Sequence, residues 1–558
     1  MKNWRNFFSI DDLLGGILLL AVMGLVIIYT SVTNIQGDGK FHTLMAREIS
    51  ETNSALTHFT HTLLSTDGPE KIMAPINYPQ TAHVILANLF SLGGEVSVEL
   101  SGAMFAGITA LFTYLLLYRY GRTAAFVTAI LVVVFNIRRF IMVPLIEQSL
   151  LAATFASLAA AVQWMRSPSV RWSMILGILL GITASLKQQG LLVPLAVGFA
   201  LVCWCGFQMV RRRKKTGLRY LVVIAVVMTV VMIVPLWEHV ARNGTIGYVP
   251  GTGTSGFLDR IPIVGAVLDN HFPLDTIAAE RVQERIAYIN RDPVSMAAVT
   301  LSYLAFPVQF STLVFSTLHL NDALEIGIFA LIALLGMMEI ARRSRALAFV
   351  IGATLGMEIL LTWVTQSRIE QYHVIGIAAA VPFLVFGFQF LWKHSPSRSS
   401  VILLTLVMVA FMGTNYVDLV HRMVYGNAGR QETENLEAYQ ELANRVEGII
   451  PKDAVVLGAS TNFQYYLRRD MLWLSTGGAA ETTTIFESLD PEEAIRHVRN
   501  YKIDFVFIEW EQLNRPGLRD FIPPRGLVDY IDHSPYYNEV YSVRRDGYRV
   551  LTLYRVNR

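Results

Sequence analysis

The sequence predicts a polytopic α-helical membrane protein of about eleven transmembrane helices, followed by a small C-terminal soluble α/β domain. Three observations predict this fold class. Hydrophobic residues make up 53% of the chain and charged residues only 16%, which is typical of an integral membrane protein. Apolar windows of about 20 residues recur up to residue 416. After residue 431 the pattern changes to short helices and strands.

The predicted spans follow one another along the chain. The first, at 13–30, is longer and more uniform than a cleaved signal, so we expect it to be retained. A further stretch, 296–318, carries Pro307 and Gln309 and is predicted to lie at the interface, because counting it as a span would move the next basic turn outside. The other spans are 98–118, 124–140, 150–164, 174–186, 191–210, 221–237, 323–340, 346–364, 374–392 and 401–416.

Basic residues predict the orientation of the chain. Lys2 and Arg5 place the N-terminus in the cytoplasm, and with eleven spans every basic turn then falls on the cytoplasmic side. These turns are 119–122, 166–171, 211–215, 342–345 and 393–398. The net charge of +3 is small and clustered in short loops, so it indicates orientation and predicts no nucleic-acid partner. The expected location is the cell membrane.

This topology divides the chain into a transmembrane domain at 1–425 and an extracytoplasmic α/β domain at 426–558. Two large loops of the first domain, 31–97 and 238–320, also face outward. The glycines and asparagine at 426–429 predict a linker between the domains.

The outward regions carry periodic patterns of their own. In the first loop, Leu44, Ile49 and Leu56 lie at helical spacing, which predicts helices on the membrane surface. In the C-terminal domain the patterns predict helices and strands of ordinary length. The predicted helices are 434–449 and 491–500, and the predicted strands are 454–458, 505–508 and 548–556.

Cysteine and histidine spacing predicts no metal site. Cys203 and Cys205 are two residues apart in one apolar helix, so they point to different sides and cannot pair. The first loop contains four histidines without a recognisable ligand spacing, which predicts surface histidines. They are His42, His58, His61 and His83.

Polar residues gather at helix ends on the predicted outer face, and they suit transfer of a sugar from a polyprenyl-phosphate. An acceptor hydroxyl must lose a proton as it attacks the anomeric carbon, which needs a carboxylate, and Asp38 suits that role. The departing phosphate gains negative charge, which Lys187 and Arg368 could hold in a water-poor site. The rest of the set is His42, Tyr78, Arg138, Glu147, Glu238, Tyr372 and His373.

The order of these motifs resembles the GT-C membrane glycosyltransferases, particularly the branch with protein O-mannosyltransferases and the aminoarabinose transferase acting on lipid A. The resemblance covers most of residues 13–392. The matching segments are the acid and following helix at 38–48, Asn77-Tyr78-Pro79, the acid opening a helix at 144–161, the Gly-rich helix end at 181–190, and the late loop at 366–382.

The resemblance implies an inverting transfer from a polyprenyl-phosphate-linked sugar, with Asp38 as base or acceptor-orienting acid and Glu147 as a second catalytic acid. Lys187, Arg368, Tyr372 and His373 would bind the donor phosphate. The residues expected to position the acceptor or the loops are His42, Tyr78, Arg138 and Glu238.

Two departures from the family pattern leave metal use and the acceptor open. Gly39 and Lys40 follow the first-loop acid, where another acid or a bulky residue is usual, and Glu147 stands where Asp is common. No metal and no other cofactor is predicted. The acceptor is a protein, glycan or glycolipid, which the sequence does not distinguish.

Other interpretations remain. An acid after a span is often a solvated loop residue, and Arg138 or Lys187 could simply extend to the interface. A flippase or transporter of a lipid-linked saccharide would need charged residues in mid-helix, of which Glu358 is the main example. A non-catalytic envelope-assembly protein would act through the C-terminal domain, which lacks a nucleophile motif or phosphate loop.

Overall fold

A computed structural model of the chain contains a bundle of apolar helices, followed along the chain by a domain with a small mixed sheet. The structure describes residues 38–52, 62–64, 71–73, 81–136, 146–212, 217–243, 320–365, 374–395, 427–458, 461–469, 471–472, 488–510 and 526–557, with single residues among 16–27 and at 140, 399, 402 and 485. The first described helix, α1, spans Asp38–Thr52. The helices that follow are α2 (Thr81–Glu99), α3 (Ser101–Leu117), α4 (Arg122–Phe135), α5 (Ile146–Arg166), α6 (Val170–Leu186), α7 (Leu192–Arg212), α8 (Leu218–Asn243), α9 (Leu320–Arg343), α10 (Arg345–Thr365) and α11 (Val374–His394).

Each predicted span between residues 98 and 392 overlaps one of these helices, which confirms a mostly helical fold with several apolar helices. Within the described ranges, four helices are long and apolar enough to cross a membrane, and they are Thr81–Glu99, Ser101–Tyr120, Gln189–Val210 and Val374–His394. The predicted spans 13–30 and 401–416 and the predicted interfacial stretch 296–318 lie largely or wholly outside the described residues. The number of spans therefore stays a prediction.

The apolar helix α2 lies in the segment predicted as the first outer loop, where no span was predicted. Its helical geometry breaks at Gly93 and Gly94, and Gly94 has a φ of 63° and a ψ of −148°, a conformation that residues with a Cβ rarely adopt. Glu95 follows immediately and ends the apolar run. After the kink, Glu95 accepts a hydrogen bond from Lys40 of α1.

The C-terminal domain is built on a sheet with helices on both faces. Its elements are α12 (Asn427–Val446), β3 (Val456–Leu457), α13 (Thr461–Leu467), β4 (Met471–Leu472), α14 (Pro491–Asn500), β5 (Phe505–Glu509), α15 (Gly526–Tyr530), β6 (Tyr537–Arg545) and β7 (Tyr548–Val556). Alternate residues of β5 point to opposite faces. Val506 and Ile508 join a core with α14 and α15, whereas Phe505 and Phe507 join one with α12 and α13.

The sheet also contains two strands from the first outer loop, β1 (Thr62–Leu64) and β2 (Lys71–Met73). The strand order is β2-β1-β4-β3-β5-β7-β6. β1 pairs in parallel with β4, where Thr62 lies opposite Leu472. The first loop and the C-terminal domain are therefore joined through one sheet.

Several local predictions are confirmed and two are wrong. The helix at 491–500 and the strand at 548–556 agree with α14 and β7. The predicted linker at 426–429 is wrong, because α12 already begins at Asn427. The first-loop helix α1 does not expose its apolar face to a membrane surface: Leu44 and Ile49 are buried, and Ile49 packs with residues of α2. Leu56 lies outside the described residues.

Candidate functional site

A buried ion pair lies where the start of α5 meets the end of α6. The Lys187 ammonium donates a hydrogen bond to the Glu147 carboxylate, and both side chains are only 5% exposed. Ala82, Ile146 and Leu186 form a small apolar cluster from the neighbouring positions of α2, α5 and α6. Two residues that the sequence predicted for the site are thus brought together within apolar surroundings.

The backbone after α6 presents Lys187 to Glu147. Lys187 has an extended conformation, with a φ of −156° and a ψ of 156°, and it separates α6 from a 3-10 helix at Gln188–Leu191. The amide of Gly190 closes this turn by donating to the carbonyl of Lys187 over 2.8 Å. A Cβ on Gly190 would lie 1.9 Å from the carbonyl oxygen of Thr183, so only glycine fits without a shift.

A pair of buried histidines joins α1 to α2 beside the ion pair. The Nδ1 of His42 and the Nε2 of His83 lie 2.9 Å apart, and both side chains are buried. Burial, reinforced by the positive charge of Lys187, lowers the pKa of His42 to about 3. His42 is therefore neutral at physiological pH. The prediction that these two histidines lie on the surface is wrong, because α1 and α2 pack against each other.

Asp38 is the first residue of α1, one helical turn before His42. Residues four apart lie on the same face of a helix, so the backbone places Asp38 on the His42 side of α1. The side chain of Asp38 lies outside the described part of the chain, and its role as base stays a prediction.

The remaining predicted site residues are not placed. The side chain of Glu238 is outside the described residues, although its backbone belongs to α8. The others lie wholly outside the described ranges, and they are Tyr78, Arg138, Arg368, Tyr372 and His373. Their expected roles therefore stay predictions.

The described ranges of the chain leave metal use open. Those ranges contain no group of three or more His, Cys, Asp or Glu side chains that could hold a metal ion. Glu147 is bonded to Lys187, and the prediction of no metal stays a prediction.

Sequence reasoning missed the contact between the first loop and the C-terminal domain. The ring of Tyr465 in α13 lies beneath two cations of α1, with the Lys40 Nζ 4.3 Å and the Arg47 guanidinium carbon 4.4 Å from its centroid. Lys40 also donates to Glu95 of α2 over 2.5 Å. The spacing of Lys40 and Arg47, two helical turns apart, is the only local signal of this shared face.

Comparison with known proteins bears on the fold formed by these elements. Residues 43–244, which include His83, Glu147 and Lys187, match the family model for dolichyl-phosphate-mannose-protein mannosyltransferase, abbreviated PMT. No curated protein sequence matches the chain significantly. The oligosaccharyltransferase of Archaeoglobus fulgidus in complex with Zn and sulfate is 12% identical, with a TM-score of 0.58, over 96% of this chain and 72% of that one.

A second solved structure shows a similar degree of structural similarity to this chain. The archaeal oligosaccharyltransferase AglB from Archaeoglobus fulgidus, in complex with an inhibitory peptide and a dolichol-phosphate, is 11% identical, with a TM-score of 0.57, over 96% of this chain and 74% of that one. AglB is a GT-C enzyme. The chain has a GT-C fold. Residues 43–244 match the PMT family model, so the resemblance predicted from the order of the motifs is confirmed as a resemblance.

ArnT from Cupriavidus metallidurans bound to undecaprenyl phosphate is also similar, at 14% identity over 96% of this chain and 97% of that one. Its TM-score of 0.44 is too low to add to the fold assignment. The GT-C fold and the apolar helices make the chain a multi-pass membrane protein. At identities this low, the structural similarity establishes the fold alone, and the activity has to be argued from the site.

Proposed function

We propose that the protein is an inverting glycosyltransferase that moves a sugar from a polyprenyl-phosphate donor to an acceptor hydroxyl at the outer membrane face. The observation that carries this proposal is the buried Lys187–Glu147 pair within the PMT-matched segment, beside the helix that begins at Asp38. The pair supports the proposal because Lys187 would supply a cation for a lipid phosphate, and its charge acts on His42 of the helix that would supply the base.

The reaction needs one bond to form and one to break at the anomeric carbon. The acceptor oxygen attacks that carbon from the face opposite the phosphate, and the bond between carbon and phosphate oxygen breaks. Polyprenyl phosphate leaves with both bonding electrons, and the acceptor proton passes to the Asp38 carboxylate. Because the attacking and leaving oxygens are on opposite faces, the configuration inverts.

Lys187 is the proposed partner of the leaving phosphate. A cation in a water-poor site interacts with developing negative charge more strongly than one at the surface does. Glu147 fixes the Lys187 side chain and balances its charge while no donor is bound, so its proposed role is to position Lys187 rather than to react. Arg368, Tyr372 and His373 are proposed to complete the phosphate site.

The neutral His42 is proposed to set the polarity beside the phosphate. With a pKa of about 3 it adds no charge that would compete with Lys187. Its hydrogen bond to His83 fixes α1 against α2, and thereby places the start of α1, where Asp38 lies. Tyr78, Arg138 and Glu238 are proposed to position the acceptor or the outer loops. No metal takes part in the proposed steps.

The proposed topology has a cytoplasmic N-terminus and an extracytoplasmic C-terminal domain in the cell membrane. This arrangement puts the start of α1 and the ends of α6 and α2 on the side where the acceptor arrives. AglB was solved with a peptide and a dolichol-phosphate, which supports a lipid-linked donor and a polymeric acceptor for this chain as well. The sugar and the acceptor remain to be assigned by assay.

The full-length protein in lipid nanodiscs, incubated with polyprenyl-phosphate-linked sugars and candidate acceptors, tests the proposal. We expect release of polyprenyl phosphate by the natural sequence, loss of release in Asp38→Asn and Lys187→Met, and partial recovery in Lys187→Arg. Lys393→Met is the matched control, because Lys393 is an exposed lysine at the end of α11. Transbilayer movement of intact donor without release would instead identify a flippase.

A further inference from the structure

The C-terminal domain holds α1 through one aromatic residue surrounded by charges from two other elements. We define the Tyr465 cluster as Lys40 and Arg47 of α1, Glu95 of α2 and Tyr465 of α13. Lys40, Arg47 and Tyr465 are all buried. A charged side chain is rarely buried unless it is paired, so these contacts fix the three helices relative to one another.

Specific interactions join Tyr465 to each of the other members of the Tyr465 cluster. Arg47 donates to the backbone carbonyl of Tyr465 over 2.9 Å, while its guanidinium lies over the same ring. Lys40 lies on the ring as well and donates to Glu95. The Tyr465 hydroxyl is hydrogen-bonded to Glu95, and burial together with that carboxylate raises the pKa of Tyr465.

A second attachment lies a few residues further along the same segment. α13 ends at Leu467, and β4 begins at Met471. β4 pairs with β1, the strand that follows α1 in the first loop. Residues 461–472 therefore hold the first loop at two places, one on α1 itself and one beyond it. The Tyr465 contacts act on the first three turns of α1, which also carry Asp38 and His42.

We propose that Tyr465 is a positioning residue that holds α1 in the register required for Asp38 and His42 to face the Lys187–Glu147 pair. The C-terminal domain then takes part in the reaction without contacting the sugar, by fixing the helix that carries the base. This inference rests on the proposed function, since it takes α1 to carry the catalytic base.

The test uses Tyr465→Leu and Tyr465→Phe in the full-length protein in nanodiscs. The leucine variant removes the ring from both cations, whereas the phenylalanine variant removes only the bond to Glu95. Tyr439→Phe is the matched control, because Tyr439 is equally buried in the same domain and its hydroxyl donates to Glu509 over 2.6 Å. Hydrogen exchange of α1 amides is measured first, because it needs no substrate.

We expect the amides of α1 to exchange on the order of tenfold faster in Tyr465→Leu and a few-fold faster in Tyr465→Phe, from loss of cation–π and charged hydrogen-bond contacts. The control should leave α1 unchanged. In the transfer assay, Tyr465→Leu should lower kcat on the order of tenfold with little change in the KM for donor, because the Lys187–Glu147 pair is untouched.

Exchange in α1 that is the same in Tyr465→Leu and in the control would overturn the inference. Faster exchange with an unchanged kcat would overturn it too, since α1 would then be held without consequence for the reaction. If the natural sequence releases no polyprenyl phosphate while the exchange difference is present, the proposed function fails and the contact between α13 and α1 is retained as a structural one.

Discussion

Acidification should destabilise the protein through His42, and replacement of that residue should remove the effect. Burial holds the pKa of His42 at about 3, below the value of 6.5 expected in an unfolded chain. Between these two values the unfolded chain binds more protons than the folded one, so the free energy of unfolding falls as the pH falls. The stabilisation is present above pH 6.5 and is lost towards pH 3.

The size of the effect follows from the same two values. A difference in pKa changes the free energy of unfolding by about 1.4 kcal/mol per pH unit within this window. Lowering the pH from about 7.5 to about 5 should therefore cost about 2 kcal/mol through His42 alone. Carboxylates titrate over part of the same range, so the comparison must be between the natural sequence and a variant that lacks this imidazole.

Equilibrium unfolding of the detergent-solubilised protein in increasing dodecyl sulfate, followed by tryptophan fluorescence, measures the difference. His42→Gln keeps an amide that can reach His83 but has no group that titrates in this range. Between pH 7.5 and pH 5, the free energy of unfolding of the natural sequence should fall by about 2 kcal/mol more than that of His42→Gln. If the free energies of unfolding of the two proteins depended on pH in the same way over that interval, His42 would not be buried and neutral.

Two further perturbations test the ion pair and the turn that presents it. Glu147→Leu should lower the free energy of unfolding by about 3–5 kcal/mol, because it leaves Lys187 buried without its carboxylate, whereas adding Lys187→Met should restore most of the loss in the same dodecyl sulfate titration. An equal loss in the double variant would contradict a buried pair. Gly190→Ala should cost about 1–3 kcal/mol, since the new methyl group would meet the Thr183 carbonyl, and an unchanged midpoint of thermal unfolding would show that this turn is open.

Elements whose signals are local could be predicted from the sequence. The helix Pro491–Asn500 has a proline in its first turn, and the Asp490 side chain accepts a hydrogen bond from the Glu492 amide as a cap. Successive side chains of the strand Tyr548–Val556 point to opposite faces of the sheet, so Leu551 and Leu553 join one core and Tyr554 and Val556 join the other. Lys187 and Glu147 could be named because both stand at helix ends next to apolar runs, although their mutual contact could not.

Contacts between distant parts of the chain could not be predicted. Arg47 and Tyr465 are 418 positions apart, and the local sequence around either residue does not indicate the other. The strands Thr62–Leu64 and Lys71–Met73 are three residues long, too short for alternation to be recognised, and their place in the sheet is set by pairing with a strand of the other domain. His83 was missed as a site residue because its partner, His42, lies on a different helix.

The Lys187–Glu147 pair is difficult to explain by stability alone. A buried ion pair is often no more stable than apolar residues of similar volume, and the Ala82, Ile146 and Leu186 side chains would pack well against such a replacement. The phosphate site proposed above supplies a reason for the pair. An anionic donor can replace the carboxylate as the partner of Lys187, and because the ammonium is already out of water, that exchange requires no further desolvation of the cation. Under the proposed function, Glu147 is the partner of Lys187 in the absence of donor, and the lipid phosphate is its partner when the donor is bound.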